Sequence, residues 1–150
     1  MPMEHPESPT QSLTYRLKAL NRIADRKSSE LAREQLGLPY PEANVIAVIG
    51  TFGPQTLMDI SRRANLDKGQ ASRTVEALLS REMVASGSNR QDGRSVIISL
   101  TASGKKVFRK VGPTMKIRDQ DLYSCLDDSE VATLRYLLDK VLTASGWESV

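Results

Sequence analysis

The stretch Thr56-Leu57-Met58-Asp59-Ile60-Ser61-Arg62-Arg63-Ala64-Asn65-Leu66-Asp67-Lys68-Gly69-Gln70-Ala71-Ser72-Arg73-Thr74-Val75 reads as two helices joined by a tight turn. Thr56 is a good N-cap, and Asp59 three residues on is placed to tie down the free N–H groups of a first turn. Leu57, Ile60 and Ala64 give this short helix one apolar face, and Asn65-Leu66 breaks it. Asp67 can cap a second helix running from Lys68 to about Glu82. On it Ala71, Val75, Leu78 and Leu79 fall at helical spacing and form one buried stripe. Gly69, Gln70, Arg73 and Ala77 point the other way. That outward face is slim near its start and carries one long cation and one amide. It suits a helix lying in a DNA major groove, where Gln or Arg can read base edges.

Two strands follow. Val96, Ile98 and Leu100 alternate with Ser95, Ile97 and Ser99, the period-two pattern of a half-buried strand. Before them Arg90-Gln91-Asp92-Gly93-Arg94 is a hairpin tip, with Asp-Gly as its turn signal. Two arginines on a protruding ribbon suit a narrow groove lined with phosphates. Helix, turn, helix and basic hairpin together predict a winged helix-turn-helix.

Leu66-Asp67-Lys68-Gly69-Gln70-Ala71-Ser72-Arg73-Thr74-Val75, then Asp92-Gly93-Arg94, then Leu100-Thr101-Ala102-Ser103-Gly104 resembles the MarR family of bacterial transcriptional regulators, and the likeness in element order spans residues 12–145. Two positions depart from the family pattern: Glu82 stands where members often have Gly, and Ser86 where a basic residue is common. The resemblance implies a mainly α fold with a small β wing, the winged helix-turn-helix being flanked by long N- and C-terminal dimerisation helices. It also implies a wing in which Asp92 orients a neighbouring arginine, and a pocket for small aromatic or phenolic acids between the first, second and fifth helices. Ligand binding there would move the recognition helices and release DNA, a population shift between two spacings.

The charge distribution points the same way. The 150 residues carry a net charge of only +3, but residues 61–110 hold eleven lysines and arginines against four acids, and the remainder ten against fourteen. A basic run alone is usually a solvated surface. Its coincidence with a helix-turn-helix and a wing favours nucleic acid. Few aromatics argue against stacking on unpaired bases. No apolar run approaches a membrane span and no signal-like start is present, so a cytoplasmic protein with no membrane partner is expected. One cysteine excludes an internal disulfide framework.

The remaining segments organise around this core. Residues 1–11, with three prolines and no apolar period, predict a disordered tail or an arm across a partner, and contain the lone His5. Residues 12–150 form a single protomer, with the winged helix over 40–101 and candidate dimerisation helices over 12–37 and 102–145. Leu13, Leu17, Leu20, Ala24 and Leu31 follow a helical period, and Gly37-Leu38-Pro39 ends it. A second helix from Pro41 to about Gly50 is apolar nearly all round and belongs in the interior, with 51–55 as a loop. Thr101 can cap a helix that Gly112-Pro113 kinks or breaks. Asp127 and Glu130 make a capping box for a last helix with a seam of Val131, Leu134, Leu138 and Val141. The long flanking helices either complete a monomeric core or bury their stripes against a second copy. A homodimer would offer two recognition helices to a pseudo-palindromic double-stranded operator with half-sites ~34 Å apart.

By role, Gln70 and Arg73 are placed for base edges or flanking phosphates, Gln suiting adenine and Arg guanine. Lys68 and Ser72 should contact phosphate at the helix start, and Arg94 and Arg90 should enter or flank the minor groove. Asp92 would orient Arg94 or Arg73 through a charge-assisted bond. The plainer alternative for Arg73 is an ion pair with Glu76. For a carboxylate effector, Tyr15, Arg16, Lys18 and Arg22 could supply a hydroxyl and cations, although any helix surface has such residues. Cys125 opens an oxidant-sensing alternative, but the acids around it disfavour a reactive thiolate, and a packing or bystander thiol is the simpler reading. No catalytic triad, phosphate loop or metal-ligand spacing is present, so neither an enzyme nor a cofactor is expected. The alternative of another class is a winged-helix module that docks proteins, against which Arg90 and Arg94 argue.

Overall fold

The computed structural model describes residues 8–88 and 95–147. Its elements run α1 (Leu13–Leu31), α2 (Tyr40–Phe52), β1 (Gln55–Thr56), α3 (Leu57–Arg63), α4 (Lys68–Ser80), β2 (Val84–Ser88), β3 (Val96–Leu100), α5 (Ala102–Leu122) and α6 (Asp128–Ala144). Helix α2 is the centre of the core. Its Val45 and Ile46 have no exposed surface, and Ile60 of α3 and Leu78 of α4 are equally buried against the same cluster. Ile98 of β3 and Val111 of α5 close it. Among the described residues no helix is long and apolar enough to cross a membrane.

Local chemistry sets the helix ends. The Thr56 hydroxyl accepts from the Asp59 N–H at 3.2 Å and starts α3. Asn65, at φ 54°, turns the chain toward α4; its side-chain class tolerates the left-handed region that most L-residues avoid. Asp67 and Asp127 each close a full capping box, at the starts of α4 and α6. Helix α1 does not stop at Leu31 but widens into one π-helical turn over Ala32–Leu36, which Gly37 closes in the left-handed region at φ 67°.

Four expectations need correction. Helix α2 runs to Phe52, two residues past its expected end, because Phe52 packs on the core and the Arg63 guanidinium stacks 4.5 Å over its ring. Gly53, at φ 83°, then ends it. The sheet has three strands rather than two: Gln55 and Thr56 pair with Ile98 and Ile97, giving the order β1-β3-β2, all antiparallel. Helix α5 passes through Gly112-Pro113 unbroken. Both residues face solvent, so the carbonyl that Pro113 leaves without a donor stays hydrated, while buried Val111 and Thr114 hold the helix on the core. Finally, the tail contains a short 3-10 turn, Pro9–Gln11, capped by Ser8. His5 lies outside the described residues.

The Leu100-Thr101-x-x-Gly104 pattern has a physical basis. Thr101 caps α5 by accepting from the Gly104 N–H at 3.1 Å, and its own hydroxyl donates to the Glu82 carbonyl at 2.7 Å. Its backbone N–H bonds the Met83 carbonyl. A Cβ on Gly104 would sit 2.1 Å from that same carbonyl oxygen, so only glycine lets α5 begin this close to the wing. Glu82 itself is held at φ 57°, the conformation for which glycine is the usual choice.

Candidate nucleic-acid interface

Helix α4 exposes one face, polar near its start, and buries the other. Ala71, Thr74, Val75 and Leu78 face the core, whereas Lys68, Gly69, Gln70 and Arg73 are exposed and Ser72 is half-buried. The expected stripe therefore gains Thr74, whose hydroxyl donates to the Gln70 carbonyl at 2.7 Å, and Leu79 is only partly covered. The helix ends at Ser80, short of Glu82, because the chain turns left-handed at Glu82 and enters β2. Gly69 keeps the outward face low. An added Cβ would lie 3.3 Å from Nη1 of Arg73, whose side chain reaches back along the helix, and 3.3 Å from Oδ1 of Asp67. Among the described residues Arg73 forms no ion pair with Glu76 or any other carboxylate.

One contact on this face has a signal in the sequence that a base-reading role for Gln70 overlooks. The Asp67 backbone N–H donates to Oε1 of Gln70 at 3.1 Å while Oδ1 of Asp67 accepts from the Gln70 N–H at 2.8 Å. Asp-x-x-Gln is a capping-box spacing.

Other cations nearby have structural work. Arg81, just past α4, meets Glu42 at the start of α2 at 3.3 Å, and that carboxylate is almost fully buried. The pair ties the end of α4 to the central helix. Arg63 donates to Oε1 of buried Gln55 at 3.2 Å. Arg62 is exposed and pairs with Asp59 at 3.4 Å. Asn44 of α2 donates to the Ala64 carbonyl at 3.0 Å, fixing α3 as well. The helix-turn-helix is thus bolted to α2 at both ends.

Strands β2 and β3 pair from Val84↔Leu100 to Ser88↔Val96. Arg90, Asp92 and Arg94 lie outside the described residues. Ser86 is exposed opposite Ile98.

Two concavities flank this unit. One, of about 470 Å³, lies between the end of α2, β3 and the start of α5, with Phe108, Ile49, Pro54 and Leu100 on its walls and Lys105 and Arg109 at its edge. Its depth depends on Gly50, where a Cβ would collide with the Phe108 ring at 2.2 Å. Sequence reasoning counted Lys105 and Arg109 only as part of a basic run. Their i, i+4 spacing, which puts both on one face of α5, was the available signal. The second, a groove of about 530 Å³, runs between the end of α5 and α6 and includes Tyr123, Leu126, Val131, Leu134, Leu138 and Leu142.

The candidate effector residues on α1 are not gathered into either concavity. Arg16 donates to the carbonyls of Gln11 and Ser12, and Tyr15, Lys18 and Arg22 are exposed. Where α1 does meet the rest of the chain, Arg118 of α5 donates to Oγ of buried Ser28 at 3.0 Å, and Lys27 pairs with Asp121. Burial works against the Arg118 charge, but Asp119, bonded to its Nε at 2.9 Å, and Tyr40 together outweigh that and raise its pKa above the ordinary arginine value. Cys125 is exposed between α5 and α6, so it does not serve as a packing thiol in the protomer.

A model of the MarR family matches residues 36–95. The chain is 30% identical over 115 residues to the HTH-type transcriptional regulator BilQ of Clostridium symbiosum, covering 75% of this chain and 77% of that one. It is 28% identical over 133 residues to the multiple antibiotic resistance protein MarR of Escherichia coli, covering 84% and 90% respectively. The crystal structure of a mutant E. coli MarR complexed with operator DNA superposes with a TM-score of 0.77 at 27% identity, over 87% of this chain and 93% of that one.

Proposed function

Because the chain belongs to the MarR family of winged helix-turn-helix transcriptional regulators, we propose that it is a cytoplasmic repressor that binds a pseudo-palindromic operator as a homodimer and is released by a small aromatic or phenolic acid. That it is a DNA-binding transcriptional regulator and not an enzyme follows from the family itself. The observation that carries the finer reading is the exposed face at the start of α4, where Lys68, Gln70 and Arg73 stand clear of the core on a helix bolted to α2. Arg73 and Gln70 are assigned to base edges, Lys68 and Ser72 to phosphates, and Arg90 and Arg94, oriented by Asp92, to the groove beside the wing.

The dimer reading is supported by surface that one protomer leaves uncovered. Leu13, Leu17 and Ile23 of α1 are 68%, 48% and 46% exposed, and α6 has no buried residue although its seam is apolar. Apolar stripes of this length are buried in a stable protein. A second copy can cover both, with α1 of one protomer in the α5–α6 groove of the other.

For the effector, the cavity edged by Lys105 and Arg109 fits better than Tyr15, Arg16, Lys18 and Arg22. It offers apolar walls for a ring and two cations for a carboxylate, and it touches α2, β3 and α5 together, so a ligand there could shift the wing and α4 against the rest of the protein. The test is fluorescence anisotropy on the DNA upstream of the gene, across a salt series. Specific binding should weaken about 5- to 150-fold in Arg73→Ala, and Lys105→Ala or Arg109→Ala should blunt release by aromatic carboxylates. Affinity equal to that for random DNA, unchanged in Arg73→Ala, would sink the operator reading.

A further inference from the structure

We propose that Gln70 reads the operator with its amide N–H group alone, because its carbonyl oxygen is committed to the cap of its own helix. The inference rests on the operator reading above and refines it. Oε1 of Gln70 lies 3.1 Å from the Asp67 backbone nitrogen. A backbone N–H can only donate, so the amide orientation is fixed by chemistry: the oxygen faces back to the helix start and Nε2 faces outward. The reciprocal bond from the Gln70 N–H to Asp67 at 2.8 Å locks the same turn, and Thr74 holds the Gln70 carbonyl from the buried side. Gln70 is exposed, so the outward group is free to enter a groove.

The consequence is a change in what this residue can recognise. Glutamine reads adenine by accepting from N6 and donating to N7 at once. With Oε1 engaged, only the donating half remains. Two N–H donors suit a base edge that presents acceptors, which is guanine with N7 and O6, and next thymine with O4. Cytosine offers the N4 donor and is rejected, and adenine offers one acceptor beside a clashing donor. The pair facing Gln70 is therefore expected to be G·C, with its two adjacent acceptors, rather than the A·T that glutamine alone suggests.

The test is selection of bound sequences from a random double-stranded library by the full-length protein, in parallel for wild type, Gln70→Glu and Gln70→Ala. Glutamate at this position also closes a capping box, but its second oxygen faces outward as an acceptor. Wild type should enrich a G·C pair at one position of each half-site, by about tenfold over an A·T pair. Gln70→Glu should move that pair, and no other, to A·T or to the inverted C·G. Gln70→Ala should lose preference there and melt at a lower temperature, whereas Gln70→Glu keeps the wild-type melting point. Enrichment of an A·T pair by wild type, or no change of motif in Gln70→Glu, overturns the inference and leaves the operator reading intact. No enriched motif in the wild-type protein overturns that reading, and this inference falls with it.

Discussion

Replacing Glu82 with glycine should make this protein more stable, although it deletes a whole side chain. Glu82 is exposed and, among the described residues, forms no ion pair, so its side chain contributes little. Its backbone sits at φ 57° between α4 and β2, pinned by the Thr101 hydroxyl on its carbonyl. For a residue with a Cβ that conformation costs about 1–2 kcal/mol. Glycine removes the cost but has more freedom to lose on folding, which takes back about 0.4–1 kcal/mol. The net gain is about 0.5–1 kcal/mol. At this chain length that raises Tm by about 1–4 °C. Glu82→Ala is the control, since it removes the carboxylate but keeps the Cβ, and it should stay within about 0.5 kcal/mol of wild type. The assay is thermal and urea unfolding followed by circular dichroism, at one fixed protomer concentration because association shifts apparent stability. The glycine variant should raise the urea midpoint with an unchanged m-value. A lower midpoint in Glu82→Gly, or equal behaviour of the glycine and alanine variants, would refute the argument that the left-handed turn is a strained position.

Gly104→Ala should do the reverse: its Cβ would meet the Met83 carbonyl at 2.1 Å, so the variant is expected to lose about 3 kcal/mol or to fail to fold, read from the same unfolding curves. The Glu42–Arg81 pair should be asymmetric to substitution, because Glu42 is buried and Arg81 is half-exposed. Arg81→Ala, which strands a buried carboxylate, is expected to cost about 2 kcal/mol. Glu42→Gln should cost less than half of that in denaturant unfolding, since it leaves a neutral group beside a cation that water can reach. Leu17→Glu on the exposed face of α1 should raise the dimer dissociation constant at least tenfold in sedimentation equilibrium while leaving circular dichroism unchanged. Emission of Trp147, the single tryptophan and one that lies just past α6, should shift as the protein is diluted through dissociation.

The parts of the fold that could be read in advance are those written in short-range chemistry. Thr56, Asp67, Thr101 and Asp127 each cap the helix that their spacing announces, because a cap needs only residues within one turn. The stripe of α4 was legible for the same reason, whereas in β3 only Ile98 of the expected face is fully buried and Val96 is exposed. Strand β1 was not: two residues carry no period, and they become a strand only because Ile97 and Ile98, some forty residues on, supply the partner bonds. Pro113 predicts a kink or a break because the local penalty is real, but the side of the helix facing water is decided by tertiary packing. The site was legible to the same degree. Lys68 and Arg73 are exposed where their spacing puts them, whereas the cavity under Lys105 and Arg109 exists only once α2, β3 and α5 meet. Gln70 is the instructive case. Its capping-box spacing from Asp67 was present in the sequence, but a side chain with two capacities was assigned only one of them.

The π-helical turn at Ala32–Leu36 has a consequence for comparing this chain with others. Such a turn is what an α-helix becomes when it absorbs one additional residue without rotating what lies on either side. Ala32, with no exposed surface, and Leu36, packed on the core, keep their seats while α1 continues outward unchanged. A homologue one residue shorter between Leu31 and Gly37 should therefore have a plain α-helix there and the same faces before and after it. In an alignment, a single-residue gap belongs in this turn rather than in the loop beyond Gly37. A gap set in that loop instead would misplace every residue of this turn by one position, so that a buried alanine in one protein was compared with a solvated side chain in the other.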